Sequence, residues 1–306
     1  MTTYLRTRII LTIAAILAVT TGTASAAELH YRGAVTLERT EQFTLTAQTI
    51  DQVFRIDVAL PPSYGQTDQH YPVVYMMDSN MLFSGVVNGA RFLQLGQEVP
   101  EVIIIGIGYD VESLVETLGI RNRDLVPTND PVWDAEARQT PGPLGMPDDV
   151  STGGAQAFLT FINEEVKPAM NARYRIDTDS QSLLGYSFGG LFSLYTLFNH
   201  PDAFDNYVIG SPSLWWHDTV TFDYEARYAD THDDLPKRIF ISSGALEEAA
   251  DGDDFMMVSN ARKMAELLQS RNYPNLTVSY KNFADETHMS GTLPAATQGL
   301  RFVLGD

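Results

Sequence analysis

The amino-acid sequence predicts an α/β protein, a mostly parallel central sheet flanked by helices. Three observations predict it. Short apolar runs alternate along the chain with segments that place apolar residues at helical spacing. Several of the runs are apolar without interruption, as in strands covered on both faces. The chain has 306 residues, 44% of them hydrophobic, enough to bury one large core.

FRIDVAL at 54–60 alternates apolar and polar residues, the mark of a half-buried strand. PVVYMM at 72–77 and VIIIGIG at 102–108 read as central strands, with a helix expected between them over 86–95. Phe158, Phe161, Ile162, Val166 and Met170 predict a helix over 155–174. The pattern continues with a strand SLLGYS at 182–187, a helix through LFSLYTLF at 191–198 and a strand YVIGS at 207–211. RIFISSG at 238–244 is the next strand, then a helix over 256–268, a strand LTVSYKNF at 276–283 and a last helix near 295–304. Alternation of this kind joins parallel strands through crossover helices. No internal repeat is evident. Two stretches break the rhythm, 110–150, rich in Pro, Asp and Gly, and 212–236. Each follows a strand's C-terminal end, where open α/β sheets place ligands, and each is expected to be a loop insertion over the site.

The first residues are a different kind of segment. Arg6 and Arg8 precede a short apolar run, 9–19, that ends in Ala24-Ser25-Ala26. That is the layout of a cleaved signal peptide, 1–26, leaving 27–306 as a single exported domain, periplasmic or secreted. The apolar run is shorter than the roughly 20 residues that cross a bilayer, so no stable membrane insertion is expected after cleavage. With no cysteine, disulfides, a Cys nucleophile and thiolate metal sites are excluded. The formal charge is −19, and removing a leader with two arginines and no acids leaves −21. Such a charge repels nucleic acid and anionic membranes.

Gly185-Tyr186-Ser187-Phe188-Gly189-Gly190 stands where an apolar strand meets a helix. Gly-x-Ser-x-Gly in that setting is the nucleophile elbow of the α/β-hydrolase fold: the reversal strains the serine backbone, and its neighbours pack too closely for side chains. A glycine-rich turn with a capping serine would carry the same letters; placement between strand and helix favours the nucleophile. The base must then lie after the last strand, and of six histidines only His288 does. His200 ends the helix after Ser187, where it would complement the helix dipole. The two catalytic side chains are expected within hydrogen-bonding reach of each other. An acid should follow strand 238–244, where Glu247, Glu248, Asp251, Asp253 and Asp254 compete; Glu247 comes first after the turn and is preferred. The oxyanion hole should use the backbone N–H of Phe188 and one from the loop after strand 72–77, with Asn80 preferred. No metal site or cofactor is expected.

YPVVYMMDSN, IIIGIGY, RNRDLVPT at 121–128, GYSFGGLFSLY, IGSPSLWW and the late histidine together resemble the putative-esterase family, the esterase-D-like branch of α/β-hydrolases. Within it the chain looks most similar to hydrolases that include bacterial catecholate-trilactone siderophore esterases. The resemblance implies Ser-acid-His machinery with Ser187 and His288 at the family positions, Glu247 on the family's Gly-x-x-Glu, and Asn80 near the oxyanion donor. Tyr109, Trp215 and Trp216 would line the substrate site with flat apolar faces, or the tryptophans would be core. Arg121 and Arg123 would clamp an anionic group, or pair with Asp124 or other local acids. The function expected is carboxylic ester hydrolysis through an acyl-enzyme on a small-molecule ester, with siderophore lactones or aromatic and short acyl esters as substrates. An acyltransferase of the same fold and an inactive binding protein are the alternatives.

Overall fold

The structure is a computed structural model that describes residues 29–139, 146–147, 149–249 and 254–305. The expected leader, Asp251 and Asp253 lie outside the described residues. The chain divides after Thr36; the described part of the first unit, 29–36, holds no helix or strand.

The second unit is built on an eight-stranded sheet in the order β1-β2-β4-β3-β5-β6-β7-β8. The strands are β1 Thr40–Thr46, β2 Val53–Ala59, β3 Tyr71–Met76, β4 Ile103–Tyr109, β5 Ile176–Tyr186, β6 Asn206–Gly210, β7 Arg238–Gly244 and β8 Thr277–Phe283. β2 is antiparallel to β1 and β4, and β3 to β8 are parallel to one another. β1 is absent from the sequence reading. It is an edge strand whose polar, largely exposed residues give no apolar run to detect.

The helices are α1 Ser79–Leu95, α2 Leu114–Leu125, α3 Pro131–Gln139, α4 Ala155–Phe161, α5 Lys167–Arg173, α6 Phe188–Asn199, α7 Trp216–Ala229, α8 Met257–Ser270 and α9 Thr292–Leu304. A π-helical turn, Ile162–Val166, joins α4 to α5. The strands' two faces feed two cores, because alternate side chains point to opposite sides. Val73, Tyr75 and Met77 pack into the larger core with Phe158 of α4, Phe192 of α6 and Met264 of α8. Val74 and Met76 pack into the smaller one with Val86 of α1 and Leu300 of α9.

Both predicted loop insertions contain helix. α2 is capped by Ser113, whose hydroxyl accepts from Glu116 N–H at 3.4 Å, and Asp130 Oδ1 caps α3 by accepting from the N–H groups of Val132 (3.1 Å) and Trp133 (3.0 Å). The Asp and Pro residues that suggest an irregular loop are here the punctuation of short helices. Within 212–236 lies α7, entered through left-handed backbone at His217, Asp218 and Thr219. α1 starts at Ser79, well before the expected 86, because left-handed Asp78 turns the chain and its carbonyl accepts from Met81 and Leu82.

Parallel strands put their C-terminal ends on one edge. Met76, Tyr186, Gly210, Gly244 and Phe283 all end there, and the loops that leave them meet above the sheet. Among the described residues, no helix is long and apolar enough to cross a membrane.

Candidate active site

The turn from β5 to α6 holds Ser187 at φ 61° and ψ −119°, a backbone conformation that non-glycine residues rarely adopt. Three main-chain hydrogen bonds hold it there. Ser187 N–H donates to Gly210 O (2.9 Å), and Ser187 O accepts from Leu191 (3.0 Å) and Ser213 (3.2 Å). A Cβ on Gly185 would come within 2.0 Å of Gly189 O, and one on Gly190 within 2.9 Å of Gly210 O. At Gly189 the nearest contacts would be an ordinary 3.4 Å. Close approach therefore demands glycine at 185 and 190, and less so at the motif's last position.

His288 lies in the loop between β8 and α9. Its Nδ1 is 2.9 Å from Glu247 Oε2, and Tyr186 donates its hydroxyl to His288 O at 2.7 Å. Glu247 Oε1 accepts from Ser211 Oγ (2.6 Å) and Gly244 N–H (2.6 Å). Burial alone would raise this carboxyl's pKa, but the hydrogen bonds from His288, Ser211 and Gly244 outweigh it and hold the group below its ordinary value. A carboxylate on Nδ1 fixes the tautomer that leaves Nε2 as the acceptor.

Glu248, another candidate acid, is used elsewhere. Glu248 accepts from Ser259 N–H at 2.7 Å and from its hydroxyl, closing the first turn of α8, where an anion is favoured. His200, at the end of α6, hydrogen-bonds Gln156 Oε1 at 2.8 Å through Nε2, and burial lowers its pKa.

Ser187, Glu247 and His288 line one cleft of about 570 Å³ with Phe188, Ser213, Trp215 and Arg121. Leu118, Asn122, Met146, Leu246, Phe255, Met257 and Thr287 complete the lining. Among hydrogen bonds between described residues, the Ser187 hydroxyl is partnered by Ser213 Oγ at 3.4 Å, not by His288. Serine–base contacts are often long in ligand-free enzymes and tighten on substrate binding.

Of the expected substrate residues, Trp215 and Arg121 line the cleft and the others do not. Trp216 is core: it is 1% exposed, and its indole N–H donates to Thr128 Oγ1 at 2.7 Å. Tyr109 is buried at the end of β4, with its ring 5.7 Å from that of Phe54. Arg123 is bound to Asp124 through Nε (2.7 Å) and Nη2 (3.1 Å). Arg121 grips Asp78 through Nε (2.7 Å) and Nη2 (3.0 Å), and Nη2 also donates to Tyr186 O at 3.1 Å. It thus ties the loop after β3 to the residue before Ser187. Sequence reasoning missed Asp78 in this role, since partners 43 positions apart leave no local pattern.

Asn80 is not at the elbow. Its side chain accepts from Tyr109 N–H at 2.7 Å and donates to Tyr109 O at 2.9 Å, and it lines a different cleft with Asp57 and Ser79. The residues after β3 that approach the elbow are Met77 and Asp78, whose Cβ and Oδ2 would each lie 3.4 Å from a Cβ on Gly189. Phe188 is the first residue of α6, so its N–H has no intrahelical partner. Among the described residues, no group of three or more His, Asp or Glu side chains could hold a metal ion.

A match to the putative-esterase family spans residues 47–298. The chain belongs to that family. This esterase is 29% identical over 276 residues to the ferri-bacillibactin esterase BesA of Bacillus subtilis (strain 168), across 89% of this chain and 91% of that one. A crystal structure of the BES protein from Bacillus cereus superposes with a TM-score of 0.75 at 28% identity, covering 90% of the esterase and 100% of the other chain. An IroE-like serine hydrolase from Shewanella oneidensis gives a TM-score of 0.73 at 25% identity, covering 87% of the esterase and 80% of that chain. The esterase is a serine ester hydrolase of the α/β-hydrolase fold.

Proposed function

We propose that Ser187 is the nucleophile of this esterase, His288 its general base and Glu247 the acid that orients the base, and that the substrate is a siderophore lactone. The observation that carries the reading is the strained Ser187 backbone at a strand-to-helix turn, opening into the same cleft as a histidine whose Nδ1 is held by a buried carboxylate. On substrate binding Ser187 Oγ exchanges Ser213 for His288 Nε2, gives up its proton there and attacks the ester carbonyl. The acyl-enzyme forms as His288 returns the proton to the departing alkoxide, and water then repeats the sequence with the acyl carbon.

Developing oxyanion charge is met by the N–H of Phe188 at the start of α6 and, in place of Asn80, by the N–H of Asp78. Two features support Asp78: its loop abuts Gly189, and the N–H of its neighbour Met77 is taken by Leu184 O at 3.0 Å. The lactone assignment rests on BesA, whose name gives ferri-bacillibactin as its substrate, and on a cleft walled by Trp215, Phe188 and Phe255, with Trp215 and Phe255 ring centroids 4.9 Å apart. The leader pattern at 1–26 supports export, which a mature protein beginning after Ala26 in periplasm or medium would establish.

S187A is expected to lower kcat/KM for p-nitrophenyl butyrate by roughly 10³-fold or more and to abolish labelling by a fluorophosphonate probe. Undiminished turnover by S187A would overturn the reading. Release of the monomeric acid from a catecholate trilactone tests the substrate.

A further inference from the structure

The chain leaving β6, Gly210-Ser211-Pro212-Ser213, touches both Ser187 and Glu247. Gly210 O accepts from Ser187 N–H at 2.9 Å, and Ser213 N–H donates to Ser187 O at 3.2 Å. Between them stands Ser211, in a conformation that costs energy. Its φ is 37°, in the left-handed region that suits glycine and strains other residues, and its N–H is fixed to Ser242 O at 2.8 Å. A glycine here would relieve the backbone but bring no hydroxyl. Strain kept at a residue that is 1% exposed points to a use for its side chain.

That hydroxyl completes a ring of hydrogen bonds. Its one proton is shared between Glu247 Oε1 at 2.6 Å and Tyr186 Oη at 3.0 Å, the carboxylate being the closer and the charged acceptor. Tyr186 donates in turn to His288 O at 2.7 Å, and His288 Nδ1 lies 2.9 Å from Glu247 Oε2. The tyrosine is itself boxed in: a Cβ on Gly210 would come within 2.3 Å of its Cδ2, and one on Gly291 within 3.1 Å of its hydroxyl. Burial pushes the Tyr186 pKa up to about 12, so the hydroxyl keeps its proton and remains a donor. Glu247 and His288 are thus each held by the other and by a neutral hydroxyl.

We infer that Ser211 and Tyr186 are positioning residues of the reaction: acting through the Glu247 carboxylate and the main chain of His288, they fix the orientation in which the imidazole faces Ser187. This rests on the roles given to Glu247 and His288 above. Neither Ser211 nor Tyr186 lines the cleft, so their effect falls on the chemical step and not on substrate binding. Without Ser211, Oε1 of Glu247 keeps only the Gly244 N–H at 2.6 Å, and the carboxylate is free to turn away from Nδ1.

S211A is expected to lower kcat for p-nitrophenyl butyrate by roughly 10- to 100-fold, the worth of a hydrogen bond to a charged group, with KM unchanged. S211G relieves the strained backbone, so it is expected to show the same loss of kcat with a thermal midpoint at or above that of S211A. Y186F should lower kcat several-fold, again at constant KM. The deciding measurement is S211A in an E247Q background. A residue that acts through Glu247 has no carboxylate left to hold there, so the double variant is expected to match E247Q alone; a merely structural serine would multiply its loss onto that of E247Q. Native kcat in S211G or Y186F, or multiplied losses in the double variant, overturns the proposal. E247Q measured alone keeps the two conclusions apart. Native kcat in S211G beside an impaired E247Q strikes this proposal only, whereas native kcat in E247Q would strike the acid assignment and this proposal with it.

Discussion

Glu247 occupies a socket that keeps it charged. Its side chain is 1% exposed, yet each oxygen is hydrogen-bonded, to His288 Nδ1 on one side and to Ser211 and Gly244 on the other. Replacing it by Gln leaves the shape but offers an N–H where Nδ1–H needs an acceptor. E247Q is expected to lower kcat/KM for a p-nitrophenyl ester by roughly 10² to 10⁴, with a thermal midpoint close to the native one, as parallel kinetics and melting would record. Asp124 shows the opposite balance. Burial pushes its pKa from 3.8 to about 6, against the pull of the Arg123 pair. The unfolded chain releases this proton near 3.8 and the folded one near 6, so the group's stabilising contribution is complete below the lower value and lost as pH rises through the upper. D124N removes that dependence. Relative to the native protein its stability should improve between pH 4 and 7 by on the order of 3 kcal/mol, about two pKa units at 1.4 kcal/mol each, measurable by denaturant unfolding at both pH values.

At the scale of elements, the β5–α6 turn is strained, and its surroundings hold it in place. Gly185 and Gly190 let the β5–α6 turn and the Gly210–Pro212 segment pack backbone to backbone, and Arg121 spans from Asp78 to Tyr186 O beside Ser187. The segment Trp215-Trp216 leads into α7 and divides its labour. Trp215 faces the cleft with its ring 6.0 Å from that of Phe188. Trp216 is sealed beneath, 5.3 Å from Trp133 and 5.7 Å from Phe188. W216A is expected to cost about 3–5 kcal/mol, the usual range for emptying a large aromatic core site. W215A should raise KM for aromatic esters several-fold with little change in unfolding free energy. Denaturant titration and steady-state kinetics on the two variants distinguish these roles.

For the whole molecule, one sheet with all its parallel strands ending on one edge explains how residues from five loops meet. Ser187, Ser213, Glu247 and His288 follow β5, β6, β7 and β8, and Asp78 follows β3. Among the described residues, every strand, both cores and the cleft lie within 37–305. A chain starting at Leu37 is therefore expected to fold and to retain kcat/KM for p-nitrophenyl butyrate within about twofold; unfolding or loss of turnover on truncation would contradict this.

Much of this protein could be read from its residues in order. Continuous apolar runs such as VIIIGIG located the central strands, and Gly185-Tyr186-Ser187-Phe188-Gly189 located the elbow, because burial on both faces and a tight reversal each constrain neighbouring positions. His288 followed from chain order, and Glu247 came out first among five nearby acids. β1 was illegible because an exposed edge strand needs no apolar signal, and α2 and α3 were hidden by capping residues that also mark loops. Tertiary structure alone decided that Trp216, Tyr109 and Asn80 lie away from the cleft while Trp215 lines it. It alone decided, too, that both arginines are spent on carboxylates. Periodicity along a chain records which face of an element is buried; which distant side chain meets it there depends on how elements cross, and that is written only in three dimensions.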